Sequence, residues 1–269
     1  MKRKMTKMEG YFPLLILRKR GPGNMISVIR ESTDINSFLH LLDVMFTPRL
    51  IKRITTRTKT QSENSYWFLY RRGVITGTLA KRVIAQNFKA ENNDKLNRVI
   101  TKCFPSSFVN EAMLYGIKNE KNALMAFYDI FKKAHKNARI NNIGLVLHDK
   151  FPYIGGSPDA IASCDCCLES FLIEVKCPFR LCETGIPSWR ILEYFDEQQN
   201  LKKTHTYFNQ INLYQGIMNI KTAYFVVYAC GEVIVRQINF DKDFFNFQIK
   251  HLSEYYLNYY LHTVIGKKI

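Results

Sequence analysis

Between residues 110 and 177 the apolar spacing changes once, from a helical repeat to a strand repeat. From Asn110 to Lys133, Met113, Ile117, Leu124, Phe127 and Phe131 recur at intervals that place them on one helix face. Three short strand-like runs follow, Gly144–His148, Pro158–Ser163 and Phe171–Cys177. A helix is then predicted over Thr204–Met218. Strands Ala223–Cys230 and Val233–Ile238 flank a turn at Gly231-Glu232, and an aromatic-rich helix over Asp241–His262 closes the chain. Helix, three strands, helix, two strands and helix is the order of an α/β (α+β mixed) fold whose central mixed sheet is flanked by helices. Upstream the signals are weaker: a strand near Phe12–Leu17 and helices near Ile35–Met45 and Thr76–Gln86.

One slot of the long helix's apolar stripe holds a carboxylate, Glu120, three residues after Ile117 and four before Leu124. A charge on a core-facing stripe needs a partner or a metal, because burying it alone is costly. A Glu at the stripe's edge bonded to an Arg explains it equally well at this point. The strand runs add two more carboxylates. Gly155-Gly156-Ser157-Pro158-Asp159-Ala160 leads into one strand, and Leu172-Ile173-Glu174-Val175-Lys176-Cys177-Pro178 forms another. Side chains alternate along a strand, so Glu174 and Lys176 share a face while Ile173, Val175 and Cys177 point the other way. If the two strands pair as a hairpin, Asp159 sits beside Glu174. Two adjacent carboxylates repel, and a hard divalent cation such as magnesium relieves that repulsion. Lys176 then stands where it can orient water or meet charge developing on phosphate. The alternative is a surface hairpin with an ordinary Glu–Lys pair.

Charge points toward a polyanion. The 269 residues carry 39 Lys+Arg against 23 Asp+Glu, a formal net charge of +16, which suits contact with nucleic acid. Residues 1–60 hold 13 Lys+Arg and 4 Asp+Glu, so more than half of the surplus lies in the first quarter of the chain. At 46% hydrophobic and 13% aromatic residues the chain has core enough to fold without disulfide or structural metal. No apolar run is long enough to span a bilayer, and no secretory leader is read near the N-terminus. Lys2-Arg3-Lys4 and Arg18-Lys19-Arg20 could serve as a nuclear address. The seven cysteines suit a reducing, intracellular compartment. Cys164, Cys166 and Cys167 are dense enough to raise a zinc or iron–sulfur site with Cys177 or Cys182 as fourth ligand, but the spacing is unorthodox and a reduced hairpin tip is expected.

Taken in order, these blocks resemble the PD-(D/E)xK nucleases of the YqaJ viral recombinase type, the group that includes phage lambda exonuclease. The resemblance covers about residues 56–262. Trp67 through Arg71-Arg72-Gly73-Val74-Ile75-Thr76-Gly77-Thr78 resembles the family's W…R.G.ITAS block. Gly116 and Glu120 resemble its G…E..A helix. Gly155-Gly156-Ser157-Pro158-Asp159-Ala160 is close to GaSPDg, and Ile173-Glu174-Val175-Lys176-Cys177-Pro178 to lEiKCP. Tyr207-Phe208-Asn209-Gln210 resembles the start of its next helix, and the Cys164–Cys167 group looks like the CxCC hairpin of eukaryotic, mobile-element-associated members. Gly77-Thr78 replaces the usual Ala-Ser, Ala160 a common Gly, and Asn212 a typical second Gln.

The resemblance implies a restriction-endonuclease-like core over residues 56–269, with residues 1–55 a basic extension that matches nothing in the family. It implies that Glu120, Asp159, Glu174 and the Val175 carbonyl bind magnesium, with manganese as a substitute. It gives Lys176 the attacking water and Gln210 a supporting place. Arg71 and Thr78 would meet the phosphate of a DNA end, with Trp67 packed near them. The expected function is a magnesium-dependent 5′-to-3′ exonuclease on linear double-stranded DNA in recombination or repair. The implied partners are a single-strand annealing protein and further copies of the chain in a homo-oligomer, with no membrane. A non-catalytic DNA-binding protein and an endonuclease of the same fold are the competing readings.

Overall fold

The structure is a computed structural model, and it describes residues 23–85, 103, 110–183 and 192–265. The strand expected near Phe12–Leu17 and both basic clusters of the N-terminus lie outside the described residues, as does the side chain of Cys182.

Three helices come first: α1 (Met25–Glu31), α2 (Ile35–Met45, as expected) and α3 (Pro48–Arg57). Each has a side chain that accepts from a first-turn amide: Asn24, Asp34 and Thr47. They bury Met25, Ile29, Phe38 and Ile54 in one cluster with Ile75, Tyr153 and Tyr256. This segment is therefore packed into the body that carries the later blocks. Helix α4 (Ser65–Arg71), strand β1 (Ile75–Thr76) and helix α5 (Gly77–Ile84) follow. Gly73 turns the chain between α4 and β1 at φ +77°, and a Cβ there would sit 3.1 Å from Ile26 and 3.2 Å from Met25.

Helix α6 (Glu111–Ala134) starts at the Asn110 cap. Ala123, Phe127 and Phe131 face Ile173, Val175 and Val226 of the sheet. The expected stripe is corrected in its first half: Met113 and Ile117 are 50% and 56% exposed. Only the later turns of α6 reach the sheet, so periodicity alone overstated the buried length.

The strands form two sheets. Strands β2 (Arg139–Asn141), β5 (Ala160–Ser163), β6 (Phe171–Lys176), β7 (Thr222–Ala229) and β8 (Glu232–Asn239) make a five-stranded sheet in the order β2-β5-β6-β7-β8. The β5–β6 and β7–β8 pairs are antiparallel hairpins, while β6 and β7 run parallel. Parallel neighbours need a crossover, and helix α8 (Thr206–Met218) lies on it, after the short α7 (Phe179–Glu183). The second sheet joins β1 to β4 (Ile154–Gly156) in parallel and β4 to β3 (Val146–Leu147) antiparallel. Strands β1, β2 and β4 are too short for a visible repeat and were not expected. Helix α9 (Lys242–Tyr255) continues through a π turn, Tyr256–Tyr260. There the Tyr256 hydroxyl donates to the Gly73 carbonyl at 2.7 Å. The mixed sheets flanked by helices are the architecture that the element order implies.

Candidate active site

The β5–β6 hairpin does what the alternation requires. Ala160 pairs with Ile173, and the Val175 amide donates to Asp159 Oδ2 at 2.6 Å. Ile173 and Val175 pack toward α6, with Cys177 partly buried beside them. Glu174 and Lys176 face the α8 side, where Lys176 Nζ donates to Glu174 Oε1 at 2.5 Å and to the Val175 carbonyl at 2.9 Å. Gln210, one turn into α8, donates to the same Glu174 oxygen at 2.6 Å and to the Tyr214 hydroxyl at 3.3 Å.

Glu174 is 1% exposed, and its other oxygen, Oε2, is buried with no protein partner. Burial, and after it the Asp159 charge, pushes its carboxyl up to about 8. Glu120 is half-buried on α6, one turn before Ala123. Burial and then Asp159 push it up to about 7. Asp159 is also raised, by burial, against the pull of Lys176 and of the Val175 amide. Burial is the largest influence on Lys176 and disfavours its charge, yet Glu174 and Asp159 outweigh it and keep the ammonium more basic than usual. Three neighbouring carboxyls raised chiefly by burial, with an orphaned buried oxygen and a nearby main-chain carbonyl, are a hard-oxygen donor set that suits magnesium or manganese. The residues present fit such an ion.

A second group of residues is brought beside the first by β1 pairing with β4. Trp67 Nε1 donates to Ser157 Oγ at 2.8 Å, tying α4 to the turn before Asp159. The Arg71 guanidinium lies 3.9 Å above the Trp67 ring, and its Nε is buried without a partner. Arg71, Thr76, Thr78 and Arg82 line a cavity of about 250 Å³. Thr78 and Thr76 share a hydroxyl–hydroxyl contact of 2.9 Å. Glu120, Asp159, Glu174, Lys176 and Gln210 thus stand together at the carboxylate cluster, while Arg71 and Thr78 line this cavity and Trp67 packs against Arg71.

Three residues were not expected, two at this site and one away from it. Tyr214 packs so closely that a Cβ on Gly156 would lie 1.9 Å from its ring, and one on Gly77 would lie 2.7 Å from it. With the Tyr214 ring and the Gln210 side chain so placed, a Cβ at Gly77 would have to displace them. Gln61, at φ 42°, donates to the carbonyls of Pro158 (2.8 Å) and Ile143 (3.0 Å), bracing the same turn. Neither carries a local signal, since each acts across a long stretch of sequence. Asn212, by contrast, points away from the site. It donates to Gln248 Oε1 and accepts from the Asp241 amide, joining α8 to the start of α9.

The third is His135, just past the end of α6. It stands among Cys164, Cys166 and Cys167, with all four ligand atoms within 4.8 Å of one another. The fourth member of that group is therefore a histidine, in place of the Cys177 or Cys182 that spacing suggested. None of the six described cysteines is in a disulfide.

Among the described residues, no helix is long and apolar enough to cross a membrane. No curated protein sequence matches the chain. Solved structures do. The alkaline exonuclease LHK-Exo of Laribacter hongkongensis is 20% identical over 74% of this chain and 93% of its own, with a TM-score of 0.52. The Shutoff and Exonuclease protein of Kaposi's sarcoma-associated herpesvirus is 12% identical over 82% of this chain and 75% of its own, at 0.53. A SOX–DNA complex is 12% identical over 86% and 74%, also at 0.53. These likenesses establish a shared exonuclease fold. The model of the YqaJ-like viral recombinase domain matches residues 66–219, a span that includes Trp67, Glu120, Asp159, Lys176 and Gln210. The chain belongs to the YqaJ-like viral recombinase domain family.

Proposed function

We propose that this protein is a magnesium-dependent exodeoxyribonuclease that hydrolyses linear double-stranded DNA from its ends, 5′ to 3′, in recombination or repair. The observation that carries the reading is the Glu174 carboxylate, buried beside Asp159 and Glu120 with Lys176 on one oxygen and no protein partner on the other. Glu120, Asp159, Glu174 and the Val175 carbonyl would hold the ion, which supplies Lewis-acid charge at the scissile phosphate when bound.

The chain's own groups divide the remaining work. Lys176 keeps its proton, so it acts as a fixed donor that orients the attacking water and meets negative charge on the phosphate. Gln210 positions Glu174 through their 2.6 Å bond and leaves the lysine the other approach to the same oxygen. Arg71 and Thr78 bind the terminal phosphate in the adjoining cavity. Arg71 suits this because its planar fork can grip two phosphate oxygens, and its stacking on Trp67 fixes the plane of that fork. The SOX–DNA complex, on a related fold, adds support for a nucleic-acid substrate.

Three substrates test the reading: end-labelled linear duplex, closed circular duplex and single strand, each with magnesium and with chelator. Loss of label from the linear duplex alone, with magnesium, is expected. Cutting of the circle would make the protein an endonuclease. Binding without cleavage, unchanged in Asp159→Ala, would leave a non-catalytic DNA-binding protein.

A further inference from the structure

The tip of the β5–β6 hairpin is remote in chemistry from its base. There His135 Nδ1 lies 3.3 Å from Cys164 Sγ, 3.7 Å from Cys166 Sγ and 3.5 Å from Cys167 Sγ, and Cys164 and Cys166 are 3.5 Å apart at sulfur. For zinc with Zn–S near 2.3 Å and Zn–N near 2.05 Å, tetrahedral edges are about 3.6 Å from sulfur to nitrogen and about 3.8 Å from sulfur to sulfur. The four separations, 3.3–3.7 Å from sulfur to nitrogen and 3.5 Å from sulfur to sulfur, sit close to those edges.

The surroundings are shaped for the same purpose. The His135 ring is stacked at 3.9 Å on Phe131 and set against Phe171, which fixes the direction of Nδ1. The Lys136 amide donates to Cys166 Sγ at 3.3 Å, a bond that favours thiolate over thiol. Asp165, inside the Cys-Asp-Cys-Cys run, accepts from Asn137 at 2.8 Å and Arg139 at 2.7 Å, and its amide donates to the Lys136 carbonyl at 2.9 Å. The loop after α6 and the hairpin tip are thus laced together around the four ligand atoms.

We infer that His135, Cys164, Cys166 and Cys167 bind one zinc ion in a closed, structural Cys3His site that fastens the end of α6 to the β5–β6 hairpin. Four protein ligands leave no open position, so the ion takes no part in hydrolysis. Its effect is mechanical. Helix α6 carries Glu120, and the hairpin carries Asp159, Glu174 and Lys176, so the clamp joins the two elements whose carboxylates must converge. Thiolate and imidazole suit zinc, whereas the oxygen donors at the hairpin base suit magnesium, so each ion is sorted to its own end.

The experiment is metal analysis of the full chain, purified with reductant and passed through a desalting column. One zinc per chain is expected by plasma mass spectrometry, and mercurial titration of the thiols should release it. Replacement by cobalt should give an intense thiolate charge-transfer band in the near ultraviolet. Cys164→Ser and Cys166→Ser should each lose most of the zinc, while His135→Cys should keep it, as a four-cysteine site. Asp159→Ala should keep one zinc, which separates this inference from the proposed nuclease chemistry. A chain that stays folded by circular dichroism yet holds well under one equivalent after zinc is offered overturns the assignment. So does zinc retained in the Cys164→Ser, Cys166→Ser double variant, or a disulfide between two of these cysteines in protein prepared with zinc.

Discussion

One hairpin presents two clusters that differ in almost every respect. At its base, Asp159 and Glu174 offer oxygen, Glu120 joins from α6, and Glu174 Oε2 is left without a protein partner. At its tip, three sulfurs and an imidazole converge on one another. The base is a set of neighbouring acids whose carboxyls are raised first by burial and then, at Glu120 and Glu174, by the Asp159 charge, with Lys176 pulling the other way. The tip is a set of four soft ligands whose atoms lie within 4.8 Å of one another. The contrast teaches that proximity of ionisable groups is not one signal: unrelieved charge marks a place for chemistry, and a complete ligand shell marks a place for architecture.

The strongest way to break that comparison is to remove one carboxylate. Asp159→Ala and Glu174→Gln should each lower cleavage of linear duplex at least about a thousandfold, while DNA binding and zinc content hold. A variant that cleaves within a few fold of the parent would remove the base from the reaction. Arg71→Ala comes next, with a loss of about a hundredfold in kcat/KM on 5′-phosphorylated ends. Arg71→Lys should recover little of it, because an ammonium cannot form the paired contact. Equal losses on phosphorylated and unphosphorylated ends would show that Arg71 does not read the phosphate.

Disturbing the tip should act on stability. Cys166→Ser should lower Tm by several degrees, given roughly 2–4 °C per kcal/mol in a domain of this size. An unchanged Tm, with zinc lost, would show that the clamp holds nothing that folding does not already hold. The base should show the opposite behaviour with pH. Glu120 and Glu174 bind protons more tightly folded than unfolded, so in chelator their contribution is present below the ordinary glutamate value of about 4.3 and is lost as pH rises to about 8. Tm in chelator should therefore fall between about pH 5 and 8, magnesium should restore it, and Glu174→Gln should flatten the slope. A Tm that rises over that range would place the carboxyls in a different balance. The smallest effect is expected for Trp67→Phe, which removes the 2.8 Å bond to Ser157 at a cost of about 1 kcal/mol by denaturant titration.

Much of the base was legible because its chemistry is local. Alternation along Leu172–Lys176 puts Glu174 and Lys176 on one face, and the Gly-Gly-Ser-Pro-Asp lead-in marks the turn where Asp159 must stand. Glu120 was visible as a charge in an apolar row, although half of that row, Met113 and Ile117, is exposed. Periodicity reports which side chains share a face, and only the reach of the neighbouring sheet decides how far that face is covered. The two-residue strand β1 and the three-residue β4 offered no repeat to detect, yet their pairing is what sets the Arg71–Thr78 segment beside the strand that leads to Asp159.

The sequence by itself determined the order of the longer elements from the long helix onward, the hairpin, the face on which Glu174 and Lys176 stand and the membership of the family. Each follows from backbone period or from contiguous residues. Tertiary structure alone decided that Tyr214 would press against Gly77 and Gly156, that Gln61 would brace the Pro158 carbonyl, and that His135 would complete the cysteine group 29 residues away from Cys164. Such contacts are made by packing separate elements against one another, and no local pattern encodes the distance between them.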